Sequence, residues 1–286
     1  MKPSPFGYSR PESVDEALSI LASLGPDGKV LAGGQSLLPI LSMRLAAPHH
    51  LVDINRLAGL DYVLLDGVTV RVGALARHAR VLADVAARAA QPLLAQALRL
   101  VAHATIRNRG TTLGSIVHAD PSGEMTAVLA LLGGSVRVAS KSAQRDVPAD
   151  DFFLGPLESA VAPGELAVEA SFPVLGPRAG TAFVEVSRRH GDYAVCGVGA
   201  LVELDGDGAL SAAQTAYLSV APTPLVLDLS EAGDDFAAAA AIAREQVDPE
   251  PDIHATADYR RHLAGVLTER ALREAQANAL ERSANG

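Results

Sequence analysis

The sequence predicts an α+β chain: a small β–α–β opening, a hairpin and a run of helices, then a strand-rich region closed by helices. Three observations carry this prediction. Short Val- and Leu-rich runs are bounded by Gly, Pro or Asp, as strands are. Val14, Ala17, Leu18 and Leu21 recur at helical spacing behind the start signal Pro11-Glu12-Ser13. Beyond residue 180, strands and helices are segregated rather than alternating.

Taken in order, the first helix stops at Leu24-Gly25-Pro26. Val30-Leu31-Ala32 and Leu51-Val52-Asp53-Ile54 then read as strands. Tyr62 to Leu65 and Thr69 to Val72 pair around Asp66-Gly67. Arg77 to Ala89 and Pro92 to Ala102 have helical composition, and Glu124 to Leu132 reads as a buried helix ending at Gly133-Gly134. Val136-Arg137-Val138 and Arg145-Asp146-Val147 suit a hairpin, and Leu166 to Pro173 a strand. The Pro- and Gly-rich stretch from Pro173 to Gly180 marks a boundary, which divides the chain into 1–175 and 176–286, the first part subdivided at about 56/57. In the second part, Thr181 to Ser187, Val195 to Leu204 and Ser211 to Val220 are strands. Asp234 to Gln246 and Asp258 to Arg282 are helices.

With 49% of its residues apolar, the 286-residue chain can bury a sizeable core. A net charge of −9 argues against nucleic acid or an anionic membrane as partner. The single Cys196 cannot build a disulfide, an iron–sulfur cluster or a multi-thiolate zinc site within the chain, so any metal cluster belongs to a partner. No secretion signal opens the sequence, and no apolar run reaches the roughly 20 residues of a membrane span, so a cytoplasmic protein is expected.

Two small-residue turns point to chemistry. Ala32-Gly33-Gly34-Gln35-Ser36 follows a strand, and Gly110-Thr111-Thr112-Leu113-Gly114-Ser115 precedes His118-Ala119-Asp120-Pro121. Glycine lets backbone N–H groups converge on an anion, and Ser or Thr hydroxyls donate to the same oxygens. The second turn is expected ahead of a helix N-terminus, whose free N–H groups and dipole favour phosphate. Together the turns resemble a split diphosphate cradle for a dinucleotide such as FAD. Neither opens with the G-x-G-x-x-G of a Rossmann fold.

Those turns belong to an ordered set of motifs: Phe6-Gly7-Tyr8 with Arg10-Pro11, Ala32 to Pro39, Leu51 to Ile54, Ile106 to Thr111, His118 to Pro121, Pro163 to Leu166, and Gly191-Asp192-Tyr193. With them the chain resembles the FAD-binding medium subunits of the molybdenum hydroxylases, most closely the aerobic carbon monoxide dehydrogenase type, with the xanthine dehydrogenase FAD-binding subunits in the same family. The resemblance implies a two-part FAD-binding fold of the vanillyl-alcohol-oxidase type followed by a C-terminal α+β lobe of the CO dehydrogenase flavoprotein type. By position it implies that Ala32, Gly33, Gly34, Gln35 and Ser36, with Thr111, Gly114 and Ser115, hold the FAD diphosphate. Asp120 and Glu124 would approach the polyol or ribose hydroxyls, Leu166 the adenine, and Tyr193 the isoalloxazine.

The function so implied is an oxidoreductase subunit whose FAD takes electrons from an iron–sulfur partner and passes them to an external oxidant, with substrate chemistry elsewhere and no catalytic residue in this chain. Implied partners are a molybdopterin large subunit and a small subunit with two [2Fe–2S] clusters, as a dimer of heterotrimers. The alternative is a FAD-binding fold serving as a non-catalytic binding or assembly module. Leu113 sustains it, because the family usually places two adjacent glycines here. Were φ positive at Leu113, leucine would cost about 1 kcal/mol and Leu113→Gly would bind FAD more tightly. His118, Asp120 and Glu124 also read as possible metal ligands, though an H-x-D pair needs a second distant histidine. Arg107 and Arg109 read equally as phosphate partners or as solvated side chains. His49-His50 reads as a polar loop, and Cys196 as a small core residue.

Overall fold

In the computed structural model, which describes residues 2–285, the opening segment forms β1 (Gly7–Ser9), α1 (Val14–Leu24), β2 (Gly28–Leu31), α2 (Leu37–Ser42) and β3 (His50–Asp53). Met1 and Gly286, the outer limits of the expected division, lie outside the described residues. The strands pair in parallel in the order β1-β3-β2. α1 starts where the Ser13 hydroxyl accepts the Glu16 amide at 3.1 Å, and it buries Ala17, Leu18 and Leu21. His50 begins β3 rather than sitting in a loop, with its Nε2 2.8 Å from Ser9 Oγ.

β4 (Val63–Leu65) and β5 (Thr69–Gly73) form the expected hairpin, closed by the Asp66 carboxylate, which accepts the Thr69 amide at 2.9 Å. Then come α3 (His78–Ala83), α4 (Val85–Ala90), α5 (Pro92–Leu98), α6 (Ala104–Arg107), α7 (Thr112–His118) and α8 (Glu124–Leu131). The single helix expected over 77–89 is broken at Asp84, whose backbone is extended and whose carboxylate accepts the Ala87 amide at 2.8 Å. An Asp inside an Ala-rich run has become the N-cap of a second helix. α7 was not foreseen as a helix.

β6 (Ser135–Ala139), β7 (Gln144–Pro148), α9 (Ala149–Phe152), β8 (Phe153–Gly155), β9 (Glu158–Ser159) and β10 (Leu166–Pro173) follow. β10 returns between β5 and β6 to give an antiparallel sheet in the order β4-β5-β10-β6-β7. At its centre Glu169 is buried and ion-paired with Arg71 at 2.7 Å, and the Tyr62 hydroxyl donates to it at 2.7 Å.

β11 (Ala179–Ser187), β12 (Ala194–Leu204), β13 (Leu210–Leu218) and β14 (Leu225–Asp228) form an antiparallel meander, capped by α10 (Phe236–Gln246) and α11 (Ala257–Asn285). α11 packs against β11 and β12, while α8 packs against β12 and β13. The meander therefore contributes to two hydrophobic cores, one beneath α10 and α11 and one shared with the helices of the first part. This sharing carries the loop between β11 and β12 to the end of α7.

Candidate functional site

The two glycine turns meet. A Cβ on Gly33 would lie 2.5 Å from the Arg109 carbonyl oxygen, 2.8 Å from Gly110 Cα and 3.0 Å from the Thr111 nitrogen. Only glycine permits that approach. Gly34 is special for a different reason: its φ is +71°, where a side chain is strained. The Gln35 side chain folds back and donates to the Gly33 carbonyl at 3.0 Å, and Ser36 leads into α2 without capping it. The backbone N–H groups of Gly33, Gly34, Gln35 and Ser36 donate to no acceptor among the described residues. A row of unpaired donors in a glycine turn suits an anion.

The second turn is a regular helix start. Thr111 is the N-cap of α7, and its hydroxyl accepts the Gly114 amide at 3.2 Å. Across from it, the His78 amide donates to Gly110 O at 3.0 Å and the Thr112 amide to Ala76 O at 3.2 Å, an antiparallel bridge between Arg77 and Thr111. Gly110 rests on the imidazole of His78, which burial, with Arg107 nearby, pulls down to about 4. Ser115 lies in the first turn of α7, half-buried. The helix that follows this turn is thus α7 itself, not the later α8.

Leu113 corrects an expectation. Its φ is not positive: it is helical, with its side chain 1% exposed in the core. The position needs a large apolar side chain, so Leu113→Gly would open a cavity rather than relieve a clash.

α7 ends at Ala119 in the left-handed conformation, φ 52°, which turns the chain so that the Asp120 carboxylate accepts the Ser122 amide at 2.9 Å. The Tyr193 hydroxyl lies close to the Asp120 carboxylate. Burial around the hydroxyl and the charges of Asp120 and Glu124 push that phenol up to about 12, while the residue as a whole is 66% exposed. Glu124 opens α8. Burial pushes its carboxyl up to about 8, with Glu185 and then Asp120 adding repulsion. Glu185 on β11 is raised by burial to about 7, and its Oε2 has no hydrogen-bond partner. His118 is half-buried and its imidazole is pulled down by that burial in spite of Asp120. Among the described residues no group of three or more His, Cys, Asp or Glu side chains is placed to hold a metal ion.

The β11–β12 loop is pinned to this region. Ser219, φ 65°, donates its amide to Pro121 O at 2.8 Å and its hydroxyl to Ala194 O at 2.7 Å. The Arg260 guanidinium donates to Val195 O and Ser219 O at 2.9 and 2.7 Å. A cavity of about 740 Å³ opens here, with Pro121, Tyr193 and Ser219 among its walls.

The structure therefore brings the first turn, at Gly33, against Arg109, Gly110 and Thr111, the last being the N-cap of the helix that carries Gly114 and Ser115, and separately brings Asp120, Glu124 and Tyr193 together. Leu166 is elsewhere: 2% exposed and paired with Ala139 in the core, it has no side-chain surface to offer a ligand. Arg107 is committed to the backbone, donating to Val101 O and Ala102 O at 2.8 Å each. Sequence reasoning missed Asn55, Arg77 and Glu185. Asn55 Nδ2 donates to Ala32 O at 2.8 Å, and Arg77 donates to Asn55 Oδ1 at 2.6 Å and to Arg109 O at 2.5 Å.

Comparison with known proteins places the chain. Residues 4–175 match the FAD binding domain in molybdopterin dehydrogenase, and residues 181–275 the CO dehydrogenase flavoprotein C-terminal domain. The chain is 39% identical to the 6-hydroxypseudooxynicotine dehydrogenase complex subunit alpha of Paenarthrobacter nicotinovorans, over 96% of each protein. It is 35% identical to the carbon monoxide dehydrogenase medium chain of Hydrogenophaga pseudoflava, over 97% of this chain and 99% of that one. Its fold superposes on a solved chain of carbon monoxide dehydrogenase from the same organism with a TM-score of 0.93 at 36% identity, covering 97% and 99% of the two chains.

Proposed function

Because the chain belongs to the FAD-binding medium subunits of the molybdenum hydroxylases, a family of oxidoreductase subunits, we propose that it carries electrons from a [2Fe–2S] partner subunit to an external acceptor. FAD is its cofactor, and when bound it supplies a carrier that exchanges electrons singly or in pairs. The chain's own residues supply position and access. The observation that carries the reading is the contact of the two turns at Gly33, with the N–H groups from Gly33 to Ser36 unpaired among the described residues.

In this reading the backbone from Ala32 to Ser36 grips one side of the diphosphate, and Thr111, Gly114 and Ser115 the other. Asp120 and Glu124 face the polyol or ribose hydroxyls. The Tyr193 ring would lie against the isoalloxazine, with its hydroxyl near Asp120. With its side chain in the core, Leu166 would meet the adenine through its backbone alone. The proposed division at 175/176 is supported by the change from the sheet β4-β5-β10-β6-β7 to the meander, and that at 56/57 by the change from the parallel to the antiparallel sheet.

The proposed assembly has a molybdopterin large subunit and a [2Fe–2S] small subunit, as a dimer of heterotrimers in the cytoplasm. Support comes from relatives that are named as chains or subunits of dehydrogenase complexes, and among the described residues no helix is long and apolar enough to cross a membrane. The helical conformation of Leu113 removes the ground for a non-catalytic module. To test the reading, flavin is released by heat and separated by chromatography, and FAD rather than FMN is expected. The isolated chain should not bleach its flavin with any organic substrate, whereas the chain with its iron–sulfur and molybdenum partners should. Bleaching by the isolated chain would overturn the electron-carrier role.

A further inference from the structure

Between the two turns a second contact runs through side chains. Arg77 Nη1 donates to Arg109 O at 2.5 Å and Nη2 to Asn55 Oδ1 at 2.6 Å, while Asn55 Nδ2 donates to Ala32 O at 2.8 Å. Ala32 opens the first turn, and Arg109 immediately precedes the second. Asn55 is itself immobilised: its amide and Nδ2 donate to Asp53 Oδ1 at 2.9 and 2.6 Å, and Asp53 Oδ2 accepts the Tyr8 hydroxyl at 2.6 Å. One relay thus runs from β1 through the end of β3 to the second turn. The backbone of Arg77 adds to it, bridging Thr111.

We propose that Arg77 and Asn55 form a positioning clamp that fixes the gap between the two turns, and that this gap sets the affinity for a diphosphate-bridged ligand. The proposal rests on the reading of the turns as the FAD diphosphate cradle. The physical argument is one of rigidity. A guanidinium is a planar fork whose donors point in fixed directions, so engaging Arg109 O with one arm and Asn55 with the other defines a distance as well as a charge. Lysine at this position would keep the cation but present a single flexible ammonium, which cannot hold both partners in one geometry. Among the described residues the two turns meet otherwise only at Gly33, and the second is already held by α7 and its bridge to Arg77, so without the clamp the first turn is free to relax away from it. Ordering it again on binding would cost affinity. The clamp also places a cation at the seam of a proposed anion site in a chain of net charge −9.

The test is a double-mutant cycle on the full chain stripped of flavin, with titrations of FAD and of ADP, which carries the diphosphate without the isoalloxazine. Arg77→Lys and Asn55→Ala should each weaken both ligands by roughly 10- to 100-fold, and by the same factor for each ligand. The double variant should be no worse than the weaker single, because either substitution already opens the relay. Thermal melting of the flavin-free samples shows that the fold survives, and if Arg77→Lys does not fold, Asn55→Ala alone carries the cycle's first arm. Parent affinity in Arg77→Lys would overturn the clamp in favour of charge alone. Additive losses, or unchanged affinity in Asn55→Ala, would overturn it as well. A parent chain that takes up no FAD would instead defeat the reading of the site and the clamp with it, a result distinguishable because it appears before any substitution is made.

Discussion

The two turns reach one another by different physical means. The first is irregular: its glycines are required by a close backbone approach at Gly33 and a positive φ at Gly34, and its N–H groups from Gly33 to Ser36 are left without acceptors. The second is built from regular parts, an N-cap at Thr111 and the first turn of α7, with Leu113 anchoring it in the core. A turn that relies on glycine conformation has little to hold it but its neighbours. A turn that is the start of a packed helix is held from beneath. Substitutions should therefore act on global stability in the second turn and on local geometry in the first.

The largest effect should come from Leu113→Gly. Removing a buried leucine and placing glycine inside a helix together cost about 3–5 kcal/mol. A melting temperature lower by roughly 10 °C is expected, with FAD affinity falling rather than rising. Stability equal to the parent, with tighter FAD, would show that the core does not close on this residue.

Next is Gly33→Ala, where the added Cβ meets backbone on the opposite turn at 2.5 Å and no side chain can rotate away. Overpacking of this kind costs about 1–3 kcal/mol, and here it separates the turns directly, so the expected loss is in flavin retention more than in melting temperature. Gly34→Ala should be milder. Its neighbours at 3.0–3.2 Å are the ends of the Leu38 and Leu31 side chains, which can shift, leaving mainly the φ strain of about 1–2 kcal/mol. Flavin occupancy measured by absorbance in both variants checks the order, and Gly34→Ala losing more flavin than Gly33→Ala would reverse the assignment of closest approach.

How much of this could be read from the sequence follows the same division. The first turn was legible because Gly-Gly between a strand and an apolar run is a local signal, and the strands and hairpins around it are local too. What could not be read were relations across long separations. Arg77 lies 32 residues from Arg109 and 22 from Asn55, and nothing in the residues around it announces either partner. Glu185 meets Glu124 only because the meander packs on α8. Leu113 was misjudged because a single sequence does not show which turn of backbone becomes a helix, and an Asp inside Arg77–Ala89 could not be distinguished from a solvated side chain until it capped α4. Leu166 reads the same in either role, and only the pairing of β10 with β6 shows its side chain turned into the core.

The smallest and most specific difference between the turns is their response to pH. No titratable side chain lies between Ala32 and Pro39, whereas the second turn delivers His118, Asp120 and Glu124. Glu124, at about 8, and Glu185, at about 7, are both raised above the ordinary value of 4.5, chiefly by burial, so the folded chain holds protons that the unfolded chain releases. Their contribution to stability is fully present below about pH 4.5 and is lost as pH rises towards 8. His78 runs the other way: lowered from 6.5 to about 4, it favours the fold above pH 6.5 and withdraws that support as pH falls towards 4. Between pH 4.5 and 8 the two carboxyls outweigh the single imidazole, so melting temperature should fall as pH rises through this range, and that decline belongs to the carboxylate pair. Glu124→Gln, neutral at every pH, should make that decline shallower between pH 5.5 and 8, with Glu185 supplying the slope that is left. Parallel curves for parent and variant across that interval would mean that Glu124 is already ionised in the fold, and that the seam between the two halves holds its charge without a proton.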